Sequence, residues 1–138
     1  MDKERQDRIA DRLGSAWKMD LLRLTGYSVT YLALREDEGV GWVEVLAVDR
    51  PMEVMEGLEV SLECITWGLS LTQSTGLPFV IAWHDADDVI HYITYRQGET
   101  CRYRPERRDG KCFVEVYPGD LATVKEKSDG NADAPQEG

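Results

Sequence analysis

Positive charge is what the middle of this 138-residue sequence lacks: between Glu36 and Asp88 the only basic residue is Arg50, set against twelve Asp and Glu. That segment carries a formal charge of −11, whereas residues 1–35 and 96–117 each carry +2 and the tail from Pro118 carries −3. Binding a phosphate backbone takes several Lys or Arg on the contacting surface, so the central segment is excluded as a nucleic-acid face. Cysteine is scarce too. Cys64, Cys101 and Cys112 form no C-x-x-C pair, which argues against a structural zinc and against a secreted disulfide framework. Reduced thiols are expected, with Cys64 a small core residue. No apolar run reaches membrane-spanning length and residues 1–8 are dominated by charge, so neither a span nor a signal peptide is readable and a cytosolic location is expected. There is no internal repeat. What is present is 42% hydrophobic residues, enough for one core. The expectation is a single α/β domain over residues 1–120 and a disordered acidic tail over 121–138, where apolar periodicity is absent.

Ile9, Leu13, Ala16 and Trp17 recur at helical spacing between charged residues, so residues 3–17 read as an amphipathic helix, with Gly14 counting slightly against it. Residues 19–24 fit either a last helical turn or a first strand. The β-branched and aromatic stretch 27–34, the turn at 36–39 and the strand 41–49 predict a β-hairpin with an acidic tip, ended by Arg50-Pro51. Residues 58–75 read as a helix with two apolar stripes. Leu58, Leu62, Ile65 and Leu69 lie along one side, and Val60, Cys64, Trp67 and Leu71 nearly opposite. One stripe faces a sheet, and the other is covered by the first helix, the C-terminal segment or another chain. Gly76 stops the helix. The apolar run 77–83 predicts a strand covered on both faces, 89–95 a further strand, 96–111 a basic loop and 111–117 a short closing strand.

Glu44 and Leu46 stand two residues apart on the central hairpin strand and project from the same face. A carboxylate and a lysine at that spacing suit a metal-dependent nuclease, but here the second position is leucine. Glu44 is therefore read either as a relic of a metal ligand or as an ordinary polar residue at the rim of a sheet.

The order helix, hairpin, helix, strand, strand, with a carboxylate in the second hairpin strand, resembles the PD-(D/E)XK nuclease-like fold and, more narrowly, small nuclease-like proteins of tailed bacteriophages. The resemblance spans residues 4–117 and is carried by Arg8-Ile9-Ala10-Asp11-Arg12, Tyr31-Leu32-Ala33-Leu34, Trp42-Val43-Glu44-Val45, Ser74-Thr75-Gly76-Leu77-Pro78-Phe79 and Phe113-Val114-Glu115-Val116. It implies a restriction-endonuclease-like α+β fold, with a central mixed sheet of five to six strands flanked by two helices. It also implies an aspartate at Thr30 or Tyr31, the glutamate at Glu44 and the lysine at Leu46, of which one survives. Mg²⁺ needs several oxygens, so neither a metal nor a cofactor is expected. A relocated carboxylate, Asp49 or Glu63 beside Glu44, is the route by which a residual metal-dependent nuclease would persist.

The remaining candidates concern partners. Glu36, Asp37 and Glu38, taken together with Asp85, Asp87 and Asp88, are expected to form an acidic face that attracts a basic protein. Such a face fits a phage inhibitor of a nucleic-acid-handling or defence system, of the anti-CRISPR or DNA-mimic type. His84, Asp85, Asp87, Asp88 and His91 read as a solvated hairpin tip rather than a chelate. Trp67 is a protein anchor or homodimer contact, or else is covered by the first helix. Arg102, Arg104, Arg107 and Arg108 are interspersed with Glu106 and Asp109 and read as a solvated loop. Neither nucleic acid nor membrane is expected as a partner.

Overall fold

The structure, a computed structural model, describes residues 2–54, 57–99, 106–108 and 111–126. Helix α1 (Lys3–Trp17) begins where the Asp2 carboxylate accepts the Glu4 N–H at 3.1 Å, satisfying one of the free donors of the first turn. It ends at Lys18 in the left-handed region, with the Met19 N–H returning to the Gly14 carbonyl at 2.9 Å. Gly14 is what permits this reversal, since a Cβ there would stand 2.6 Å from the Met19 carbonyl oxygen. Residues 19–24 resolve as strand rather than helix: β1 (Asp20–Arg23) pairs antiparallel with β2 (Tyr31–Arg35).

The hairpin of β2 and β3 (Glu38–Ala47) turns through Glu36 and Asp37, both at positive φ (53° and 65°), with Arg35 paired to Glu38. Two central residues of that sign define the tight turn whose twist matches its strands. Chain 58–75, expected as one helix, divides into β4 (Leu58–Ser61) and α2 (Leu62–Thr75). Leu58 and Val60 are buried while Glu59 and Ser61 are exposed, the period of a strand, and the Ser61 hydroxyl accepts the Cys64 N–H at 3.2 Å to start the helix. The elements then run β5 (Phe79–His84), β6 (Ile90–Tyr95), β7 (Glu106–Arg108), β8 (Lys111–Val116) and β9 (Ala122–Thr123).

Six strands form one sheet in the order β1-β2-β3-β5-β6-β9, in which β3 and β5 are parallel and every other neighbour antiparallel. A smaller sheet, β4-β8-β7, lies apart from it. Helix α1 covers one face of the large sheet, packing Ile9 and Leu13 on Tyr31, Val43, Val45, Val80 and Ala82. Helix α2 and the small sheet cover the other, with Ile65, Leu58 and Val114 gathered on Phe79, Ile81 and Trp83. Strand β5 is thus apolar on both sides because both its faces are covered, as its unbroken hydrophobic run requires. Gly68 lets α2 reach the sheet, since a Cβ there would fall 2.2 Å from the Phe79 ring.

Of the three covers expected for the second stripe of α2, α1 is excluded because it lies across the sheet, and the C-terminal strand β8 packs with Cys64 and Leu71 while Trp67 stays 38% exposed. The expected end of order at residue 120 is corrected. β9 pairs with β6, Val124 is buried, and Glu126 accepts Arg12 at 2.8 Å. The rest of the expected tail lies outside the described residues.

Candidate functional site around Glu44

Strand alternation turns Val43 and Val45 toward α1 and leaves Glu44 on the opposite side of β3. Its side chain is 8% exposed, and Oε1 accepts the Thr30 N–H at 2.9 Å and the Thr30 hydroxyl at 2.8 Å. Burial pushes the carboxyl up to about 7, against the pull of the two Thr30 donors and the Arg23 charge. Near neutral pH it is therefore about half protonated.

The Thr30 hydroxyl is also reached by Gln6 of α1, whose amide donates to the Val45 carbonyl at 3.0 Å and whose oxygen accepts Arg23 at 2.9 Å. Arg23 further donates to Asp7 at 2.8 Å, and the Tyr31 hydroxyl donates to the same carboxylate at 2.6 Å. The Tyr31 and Arg23 donors hold Asp7 below the usual carboxylate range, and burial drives the Tyr31 hydroxyl up. A neutral amide and a hydroxyl thus stand beside the Glu44 carboxyl, and a closed ion pair lies behind them.

Of the two positions implied for an aspartate, Thr30 is the one that meets Glu44, while Tyr31 turns to the α1 face. Leu46, in place of a lysine, packs against the core under α2. Neither relocated carboxylate is buried with Glu44. Asp49 is exposed and 3.7 Å from Arg5, and Glu63 is exposed on the first turn of α2. Among the described residues no three His, Cys, Asp or Glu side chains converge. The donor set does not fit a divalent cation, which takes its charge balance from several oxygens. Gln6 escaped the sequence reading, although a polar residue three positions before Ile9, on the buried stripe of α1, was the available signal. Cys64 is a buried thiol, driven up by its burial.

The two acidic turns do not form one face. The Glu36–Asp37 tip precedes β3 and the Asp85 turn follows the end of β5 that pairs with Ala47. They sit at opposite ends of the ten-residue β3, roughly 30 Å apart at the rise of an extended chain. Asp85 is also not solvated, being 4% exposed. It accepts the N–H groups of Asp87 and Val89 at 3.0 Å and Met52 at 3.3 Å, and it meets His91 Nε2 at 3.0 Å. Burial would raise its carboxyl, but these four partners bring it below the ordinary range. Asp88 is taken by His84 at 2.7 Å and Arg12 at 2.6 Å, which hold it low as well. Of the carboxylates in that turn, Asp87 alone is exposed and outside an ion pair, whereas Glu36, Asp37 and Glu38 all stand exposed at the tip. Trp67 is 38% exposed and meets Tyr27 edge to face at 5.4 Å. Arg102 and Arg104 lie outside the described residues, and Arg107 and Arg108 belong to β7.

Two helices against a six-stranded mixed sheet, with a carboxylate on the second hairpin strand, make up a restriction-endonuclease-like α+β fold. Among solved structures, Hjc from Archaeoglobus fulgidus, a Holliday junction resolvase from an archaeal hyperthermophile, is similar at a TM-score of 0.53 over 86% of this chain and 89% of that one. Its identity is 17%, so the likeness establishes the PD-(D/E)XK nuclease-like fold alone. No family model matches the sequence, and no curated protein matches it. Among the described residues no helix is long and apolar enough to cross a membrane.

Proposed function

We propose that this chain is a binding protein on a nuclease-like scaffold, presenting carboxylates to the basic surface of another protein. The observation that carries the reading is the setting of Glu44: a single buried carboxyl, hydrogen-bonded to Thr30 and flanked by Gln6, with leucine where the fold's lysine would stand. Metal-assisted hydrolysis requires converging oxygens to hold the cation and lower the pKa of its water, and one carboxyl does not supply them. The charge of the central segment adds a second, independent reason, since it repels phosphates. The acidic surface is the hairpin tip, because the Asp85 turn engages Asp85 and Asp88 internally and leaves only Asp87 to solvent. A basic target of this kind is typical of proteins that handle nucleic acids, which suits an inhibitor or DNA mimic acting on a replication or defence component.

The reading is tested in two assays. Nicking of supercoiled plasmid with Mg²⁺ or Mn²⁺ is expected to match buffer and to be unchanged in Glu44→Ala; metal-dependent nicking lost in that variant contradicts it. Capture of host protein by the immobilised chain is expected in low salt and to be lost at about 0.5 M salt, where the screening length falls to a few ångströms. Failure to capture any salt-sensitive partner counts against the reading.

A further inference from the structure

At the hairpin edge the arginines of β1 and β2 lie on one side of the sheet and three leucines on the other. Arg23 and Arg35 point to the α1 side and are both engaged there, Arg23 with Asp7 and Gln6, Arg35 with the Trp17 carbonyl at 2.9 Å. The other side carries Leu22, Leu32 and Leu34, aligned by the pairings Leu22 with Leu32 and Asp20 with Leu34. None of the three belongs to either core, and Leu22 is 52% exposed. The strip continues to Leu77, because a Cβ on Gly39 would lie 3.5 Å from both Leu32 and Leu77. Trp42 closes its inner end, its indole N–H fixed on Thr75 at 3.0 Å. The charged side chains bordering this strip from β1 and the tip are Asp20, Glu36 and Asp37, all exposed. Among the described residues β1, β2 and β3 direct no cation to this side.

Lys18 at the end of α1 lines the cleft shared by Asp20, Leu34 and Glu36, so the acidic border is the part formed by β1 and the tip. An apolar strip with such a border is complementary to a segment of similar apolar content that carries basic residues along one edge. We propose that this strip is the docking face for a basic amphipathic segment of the partner protein. Its apolar side chains lie on Leu22, Leu32 and Leu34, and its Lys or Arg meet Asp20, Glu36 and Asp37. The proposal rests on the binding reading above and specifies its surface. A second copy of the chain is the poorer occupant, because apposing two such faces sets Asp20 and the tip carboxylates against their own kind. Nucleic acid meets the same rim with the same sign.

The test uses the full chain and two labelled helical peptides of matched apolar content, one Leu/Lys and one Leu/Glu, followed by fluorescence anisotropy, with melting curves to show that each variant folds. The Leu/Lys peptide is expected to bind and the Leu/Glu peptide not to. Leu22→Ser and Leu22→Lys are expected to weaken binding about tenfold or more, the equivalent of 1.4 kcal/mol. If Glu36→Lys with Asp37→Lys weakens binding while both Leu22 variants bind as wild type, the acidic binding reading survives and this docking face is overturned. Equal binding of the Leu/Glu peptide, or no binding of the Leu/Lys peptide, also overturns it, with salt-sensitive capture then judging the broader reading separately. Self-association abolished by Leu22→Lys assigns the face to a second copy and overturns it as well.

Discussion

The two acidic turns have similar composition and opposite roles. Glu36-Asp37-Glu38 and Asp85-Ala86-Asp87-Asp88 are both short, polar and flanked by strands. In the second, Asp85 is drawn inward to close its own turn and fasten it to Met52 and His91, and Asp88 joins α1 and the C-terminal segment through Arg12. In the first, the carboxylates stand free and the backbone takes the strain, with Glu36 and Asp37 both in the left-handed region. Charge in a turn therefore has two uses, and the carboxylate's partners decide which applies. Where backbone N–H groups point at it the charge is structural; where none do, it is available to another molecule.

The largest effect separating the two turns is expected from Asp85→Ala. It leaves three backbone donors and His91 without their acceptor in a buried place, each costing about 1–3 kcal/mol with partial replacement by water. A loss of about 3 kcal/mol in urea unfolding is expected, whereas Asp37→Ala at the tip stays within about 0.5 kcal/mol. Equal losses at the two sites would erase the distinction.

Glu44 gives an intermediate effect with a definite pH sign. Its folded pKa, about 7, lies above the ordinary 4.5, so between those values the folded state holds a proton that the unfolded chain has released. The group's contribution is fully present below about pH 4.5 and is lost as pH rises through about 7. The full loss is on the order of 3 kcal/mol at 1.36 kcal/mol per pH unit. Glu44→Gln keeps the shape and is expected to flatten that part of the stability curve; an unchanged slope would place the titration elsewhere.

The smallest effect runs in the opposite direction. Glu36→Asn with Asp37→Gly supplies the residues that this turn geometry favours, and about 1 kcal/mol of added stability is expected in thermal unfolding. A destabilised double variant would show that the wild-type side chains do hold the turn.

Much of the fold was legible because it is written in local periods. The stripe of α1, the hairpin and the apolar run of β5 each carry their own pattern, and the structure bears them out. Leu58 and Val60 misled because they fit a helical stripe as well as a strand's alternation, and only pairing with Val116 and Val114 decides between the two. Residues 121–124 were lost among charged neighbours, although Leu121 and Val124 both pack inward. Leu46 in place of lysine was visible directly. The hydrogen bonds of Gln6, the burial of Asp85 and the separation of the two acidic turns were not, since each depends on which strand lies beside which.

The central claim is that Glu44 is a single buried carboxyl satisfied by the neutral donors of Thr30 and offers no cation site. Isothermal titration of the chain with millimolar Mn²⁺, repeated with Glu44→Gln, tests it most directly. Both proteins are expected to give the same featureless heats of dilution. Saturable binding of one ion per chain that disappears in Glu44→Gln would contradict it.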